Sequence, residues 1–133
     1  MKKFAPLWVV AAGLVLVLLS SLALGEKEAP ERTVYFFVHS GACPCQLEMC
    51  HQAEPIASQI EDKLTVGVKY ERLDYGETPE RIEPLVQKYK LFAFPVILVV
   101  DSKDKELFRT QGKINRVEIL KKLEELGIIT GGE

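Results

Sequence analysis

The stretch QKYKLFAFPVILVVDSKDKELFRTQG, Gln87–Gly112, decides the fold. Its centre, Phe94–Val100 (FPVILVV), is apolar at every position, which predicts a strand covered on both faces. Pro95 cannot donate to a ladder, so it belongs at the start of that strand. Asp101–Asp104 reads as a turn, and Glu106–Thr110 returns as a fourth, antiparallel strand. Upstream, Thr78-Pro79 marks a helix start with proline at the first helical position. Ile82, Leu85, Val86 and Tyr89 form that helix's inner face, and Pro84 makes it irregular. Downstream, Asn115-x-x-Glu118 resembles a capping box. It opens a last helix carrying Leu120, Leu123 and Leu126, with Gly127 as its C-terminal cap.

Farther out, Thr33–His39 (TVYFFVH) is a β-branched and aromatic run, read as a buried strand. A cysteine loop follows at Ser40–Cys45, and then a helix from roughly Pro44 to Asp62. Met49, Ala53, Ile56, Ala57, Ile60 and Leu64 mark its apolar face, and Pro55 should bend it. Leu64–Leu73 (LTVGVKYERL) alternates well enough for a strand. Strands separated by helices imply parallel pairing through right-handed crossovers, and the short final turn implies an antiparallel hairpin. The expected fold class is α/β, a mixed central sheet of about four strands with helices on both faces.

The 133 residues suffice for one domain. Lys2 and Lys3 precede the uncharged run Phe4–Leu24, and Glu26-Lys27-Glu28 ends it. Basic flank, apolar run and polar exit specify export, with the lysines kept inside. The run just reaches the length of about 20 residues that spans a bilayer. Ala23-Leu24-Gly25 also has the small-x-small pattern of a cleavage site, so residues 1–25 are expected to be a transmembrane anchor or a cleaved signal peptide. Trp8 belongs to that segment, most simply at a membrane interface. Residues 26–32 read as a linker and 128–133 as a C-terminal tail. Beyond residue 25 the chain carries 15 basic and 19 acidic residues, which gives no electrostatic footprint for nucleic acid. No glycine loop for a phosphate is present, so no organic cofactor is implied.

The chemistry lies in Cys43, Cys45, Cys50 and His51. A thiolate is the reactive form of cysteine, and a helix N-terminus favours it. Pro44 suits the first helical position, which places Cys43 at the cap and Cys45 in the first turn. Cys50 lies about two turns in and is expected to be a packed or half-packed thiol. On a regular helix Cys45 and Cys50 are roughly 140° apart and do not converge. Cys43 and Cys45 can bridge because Cys43 stands outside the helix, in a small, strained and readily reduced ring. The rival is a thiolate metal site of Cys43, Cys45, Cys50 and His51 for Zn, Cu(I) or an iron–sulfur cluster. Its C-x-C-x4-C-H spacing is no standard zinc pattern. His39 ends the first strand beside the loop, where an imidazole can stabilise a thiolate or shuttle a proton. The plainer reading is a half-buried strand-end histidine. Glu48 reads most simply as a solvated carboxylate.

The element order, with cysteines between first strand and first helix, resembles the thioredoxin-like fold family. Gln87–Gly112 resembles that family's helix end, proline-led strand, hairpin and following glycine, and the resemblance covers roughly Thr33–Leu126. It implies a thioredoxin-like domain over residues 33–127, a cis Phe94–Pro95 bond facing the cysteines, and thiol–disulfide oxidoreductase activity. It further implies protein thiol or disulfide substrates and a redox partner, with Phe94 and Pro95 shaping the substrate groove. The loop departs from the family's Cys-x-x-Cys. Counted back from Pro44-Cys45, Ala42 takes the nucleophile's place; counted forward, Cys43 is a nucleophile shifted by one residue. Cys43 or Cys45 would attack and the other resolve. The first-strand acid of the family is replaced by Tyr35, Phe36 and Phe37, and the exported part has no tryptophan. A non-catalytic binding module of the same fold is the remaining alternative.

Overall fold

A computed structural model describes residues 31–131. The expected signal or anchor, residues 1–25, and most of the linker lie outside the described residues. The order is β1 (Arg32–Val38), α1 (Pro44–Asp62), β2 (Val68–Asp74), α2 (Pro79–Tyr89), β3 (Val96–Asp101), β4 (Glu106–Gln111) and α3 (Arg116–Glu125). The four strands form one mixed sheet in the order β2-β1-β3-β4.

Successive strand residues face opposite sides, so a strand buried at every position is covered twice. Val34, Phe36, Phe37 and Val38 of β1 and Val96–Val100 of β3 are all buried, which puts the core on both faces of the sheet. On one face α1 and α3 lie side by side, linked by Arg116 Nε donating to Gln59 Oε1 at 2.9 Å. α1 buries Cys50, Ala53, Ile56, Ala57 and Ile60 and runs through Pro55 without a break. α2 buries Ile82 and Tyr89. It carries the chain across the sheet toward β4, where Arg109 donates to the carbonyls of Tyr89 and Lys90.

That crossing corrects one expectation. β1 and β2 are parallel, but β3 runs antiparallel to β1, with Phe37 opposite Val96 and Arg32 opposite Asp101. The sideways path of α2, followed by Leu91–Pro95, feeds the chain into β3 at the end where β1 finishes. Strand β2 begins at Val68, not Leu64; Leu64 instead bridges to Ile129. Along α1, Ala53, Ile56, Ala57 and Ile60 are buried as expected, whereas Met49 is only partly buried and Cys50 packs in the core beside them. In α3 the fully packed residues are Ile119 and Leu123, with Leu120 and Leu126 half-buried. The expected tail at 128–133 begins as core: Ile128 and Ile129 are 0% and 4% exposed. The Ile128 carbonyl accepts the Thr65 N–H at 3.0 Å, so the chain stays packed beyond the α3 cap.

Because β1 and β2 end together, with Val38 opposite Asp74, and β3 starts beside them, three loops meet at one pole of the sheet. They are Ser40–Cys43, Tyr75–Thr78 and Leu91–Pro95, and the N-terminus of α1 joins them there.

Candidate active site

Cys43 is the N-cap of α1, with extended backbone (φ −63°, ψ 158°), and Pro44 fills the first helical position. The Cys43 carbonyl accepts the Leu47 N–H at 3.0 Å, closing the first turn. The first N–H groups of a helix have no acceptor within it, and the Cys43 side chain makes no capping hydrogen bond to them. The first turn of α1 carries no acidic residue to compete for them. Cys43 and Cys45 are both exposed free thiols. The sulfurs at the tip of α1 are therefore open to solvent.

The loop that delivers Cys43 is pinned from two sides. From β2, the buried Asp74 accepts the Ser40 N–H and the Gly76 N–H on one oxygen, each at 2.9 Å. Burial alone would raise the Asp74 carboxyl, but the Ser40 and Gly76 N–H groups, the Ser40 hydroxyl and Arg72 outweigh it and hold it below its ordinary value. Gly76 permits this approach. A Cβ there would lie 2.3 Å from Ser40 Oγ and 2.7 Å from the Gly41 nitrogen. From within the loop, His39 Nδ1 accepts the Gly41 N–H at 3.1 Å.

The Phe94–Pro95 bond is cis, as the family resemblance implies. The β1–β3 register, extended past Phe37 and Val96, places Pro95 opposite Val38 and Phe94 opposite His39. The rings confirm the neighbourhood: His39 lies 5.7 Å edge-on to Phe94 and 5.1 Å from Tyr75, and Tyr75 lies 5.7 Å from Phe94. The Pro95 carbonyl accepts the Gly112 N–H at 2.9 Å. Among the described residues the backbone of Phe94 has no such partner.

No family model matches the sequence, and no curated protein matches it. Solved structures do. Thioredoxin NaTrxh from Nicotiana alata is 21% identical, over 72% of this chain and 73% of that one, with a TM-score of 0.54. A thioredoxin from Trypanosoma brucei brucei is also 21% identical, over 73% and 75%, with a TM-score of 0.53. Thioredoxin O2 from Arabidopsis thaliana, in its oxidised state, is 17% identical over 74% and 76%, with a TM-score of 0.54. The domain has the thioredoxin fold.

Within this thioredoxin-like domain the candidate residues separate into two groups. Cys43, Pro44, Cys45, His39, Phe94 and Pro95 collect at the pole just described. Cys50 does not join the exposed sulfurs. It is 4% exposed, on the floor of a cleft of about 310 Å³ that His51, Glu54, Arg72 and Asp74 help to line. Burial pushes its thiol above the ordinary value, the backbone N–H of His39 opposing. His51 is exposed. Among the described residues no three His, Cys, Asp or Glu side chains converge as a metal ion needs, so Cys43, Cys45, Cys50 and His51 are not gathered into the alternative thiolate site. The helix itself keeps them apart, as five residues turn Cys50 away from Cys45. Glu48 is exposed and accepts from Gln52 at 3.2 Å. Asp74, Tyr75 and Gly76 belong to the site and were not singled out in the sequence. Their signal is Asp-x-Gly directly after a strand, a turn whose carboxylate takes nearby backbone N–H groups.

Proposed function

We propose that this thioredoxin-like domain exchanges thiols and disulfides with protein substrates outside the cytoplasm, through Cys43 and Cys45. The observation that carries the reading is the pair of exposed cysteines at the cap and first turn of α1. Cys43 at the N-cap and Cys45 in the first turn hold their sulfurs at the positive end of α1, exposed to an incoming substrate disulfide. Cys43 is assigned the attack because it holds the cap; Cys45 resolves. The buried Cys50 keeps its proton and takes no part.

The reaction balances without a cofactor. The Cys43 thiolate attacks one sulfur of a substrate disulfide, and the other sulfur leaves as a thiolate that takes up a proton. Cys45, losing its proton, then attacks the Cys43 sulfur, releases the second substrate thiol and leaves a Cys43–Cys45 disulfide. Two electrons have passed to the substrate, and a dithiol redox partner restores the pair. Run backwards, the same steps oxidise a substrate dithiol; the partners' potentials set the direction. Phe94 and Pro95 are buried side chains, and the Phe94 backbone, unpaired among the described residues, is the group with which an extended substrate would pair. The sequence of residues 1–25, with its lysines, apolar run and polar exit, supports export and either anchoring in the membrane or release.

The test is exchange with a disulfide-bonded protein in excess dithiol, using wild type, Cys43→Ser and Cys45→Ser. Cys43→Ser is expected to abolish turnover. In a separate reaction without dithiol, Cys45→Ser should trap a mixed disulfide at Cys43, seen by mass spectrometry. Full turnover by Cys43→Ser, or none by wild type, overturns the reading.

A further inference from the structure

We infer that His39 is a positioning residue, the piece that fixes the cysteine loop against the Phe94–Pro95 loop. This rests on the reading just given, because what it positions is the Cys43 sulfur. His39 is the first residue past β1, two before Gly41 and four before Cys43. Its Nδ1 accepts the Gly41 N–H at 3.1 Å, which assigns the ring proton to Nε2. The ring packs into a three-ring cluster, edge-on to Phe94 at 5.7 Å and tilted on Tyr75 at 5.1 Å, with Tyr75 and Phe94 themselves 5.7 Å apart. It also lies against Gly41, where a Cβ would come 3.3 Å from its Cε1.

The geometry carries more than packing. Phe94 and Tyr75 fix where the imidazole stands, and the imidazole fixes where Gly41 stands through one hydrogen bond. The Ala42 N–H in turn donates to the His39 carbonyl at 3.3 Å, so His39 grips the loop by side chain and backbone together. This side chain links the Phe94–Pro95 loop to the cysteine loop, separately from the hold of Asp74 on Ser40. Small misplacements at a reacting centre cost large factors in rate, so a loosened Gly41 should lower Cys43 reactivity even in a folded protein.

Two substitutions separate the acceptor from the ring. His39→Phe keeps an aromatic ring and removes Nδ1. His39→Asn presents Oδ1 close to where Nδ1 stood and removes the ring. Three quantities are read: the rate of Cys43 alkylation by iodoacetamide, turnover, and hydrogen exchange at the Gly41 amide. His39→Phe is expected to cut alkylation and turnover by about tenfold or more and to speed Gly41 exchange, with little change in Tm. His39→Asn should restore most of the reactivity and the Gly41 protection, although Tm falls. Wild-type alkylation and Gly41 exchange in His39→Phe overturn the inference. So does a loss in His39→Asn equal to that in His39→Phe. If wild type exchanges no disulfide, the proposed function fails, and the Gly41 amide still decides whether His39 positions the loop.

Discussion

Asp74 holds Ser40. One carboxylate oxygen at the end of β2 accepts the backbone N–H of the residue that leaves β1, and the N–H of Gly76 as well. The two parallel strands are thereby closed at the pole where the sulfurs stand. Asp74→Asn keeps the shape but replaces an ionised acceptor, and the two N–H bonds weaken. A loss of about 1–3 kcal/mol at pH 7 is expected. The folded carboxyl lies below its ordinary value of 3.8. Its contribution is therefore present above that value and is lost as the pH falls through the lower, folded one. Urea unfolding at pH 7 and in stronger acid should show a decline in wild type that Asp74→Asn shares less.

Gly76→Ala tests the close approach. The new methyl would meet the Gly41 nitrogen, which is backbone and cannot swing aside. Overpacking of this kind costs about 1–3 kcal/mol. Ser40→Gly in the same chain removes the Oγ clash but leaves the Gly41 one, so it should recover only part of the loss in thermal unfolding.

Cys50 should resist alkylation in the native protein while Cys43 and Cys45 react, and should become reactive on unfolding. Its thiol is raised above the ordinary value of 9.0, first by burial. Folding therefore favours the protonated thiol, and that contribution is full below 9.0 and is lost as the pH climbs through the folded value. Cys50→Ala should cost about 1 kcal/mol, remove this alkaline component and leave disulfide exchange intact. Loss of exchange in Cys50→Ala would contradict the assignment of Cys43 and Cys45.

Truncation after Gly127 removes Ile128 and Ile129, both in the core. Each buried isoleucine contributes about 1.5–3 kcal/mol, so the shortened chain should lose several kcal/mol or fail to fold. Truncation after Thr130 should be mild, because both isoleucines and the Thr130 N–H bond to the Lys63 carbonyl are kept. Denaturant midpoints of the two chains make the comparison.

Features legible in the sequence are those a few neighbouring residues decide. Asn115 caps α3 by accepting the Glu118 N–H at 3.1 Å, and Gly127 takes the left-handed conformation (φ 72°) that ends it. Cys43-Pro44 and Thr78-Pro79 start helices for the same local reason. The apolar run after Pro95 announced its own burial. What stayed hidden depends on where distant segments meet. The direction of β3 follows from the path of α2 over the sheet, and a crossover helix reads the same whichever way the next strand runs. Whether Met49 or Cys50 faces inward is a single helical step of about 100°. Ile128 looked like tail because its partner, Thr65, is 63 residues away. In the site, Cys43, Cys45, His39 and Pro95 could be listed from the sequence; Asp74, Tyr75 and Gly76 leave only an Asp-x-Gly turn as their sign, since their role is to touch Ser40, Gly41 and the His39 ring.

Strand β1 also sets a polarity on the whole molecule. It enters the sheet at Arg32, where the Glu31 N–H meets the Gly67 carbonyl at 3.0 Å, and it leaves at Val38 beside the sulfurs. Seven extended residues make a strut of about 20 Å between the two ends. If residues 1–25 anchor the chain as proposed, the pull of that anchor falls on the pole opposite Cys43 and Cys45. The proposed exchange site would then face away from the membrane, and a large folded substrate could reach it unobstructed.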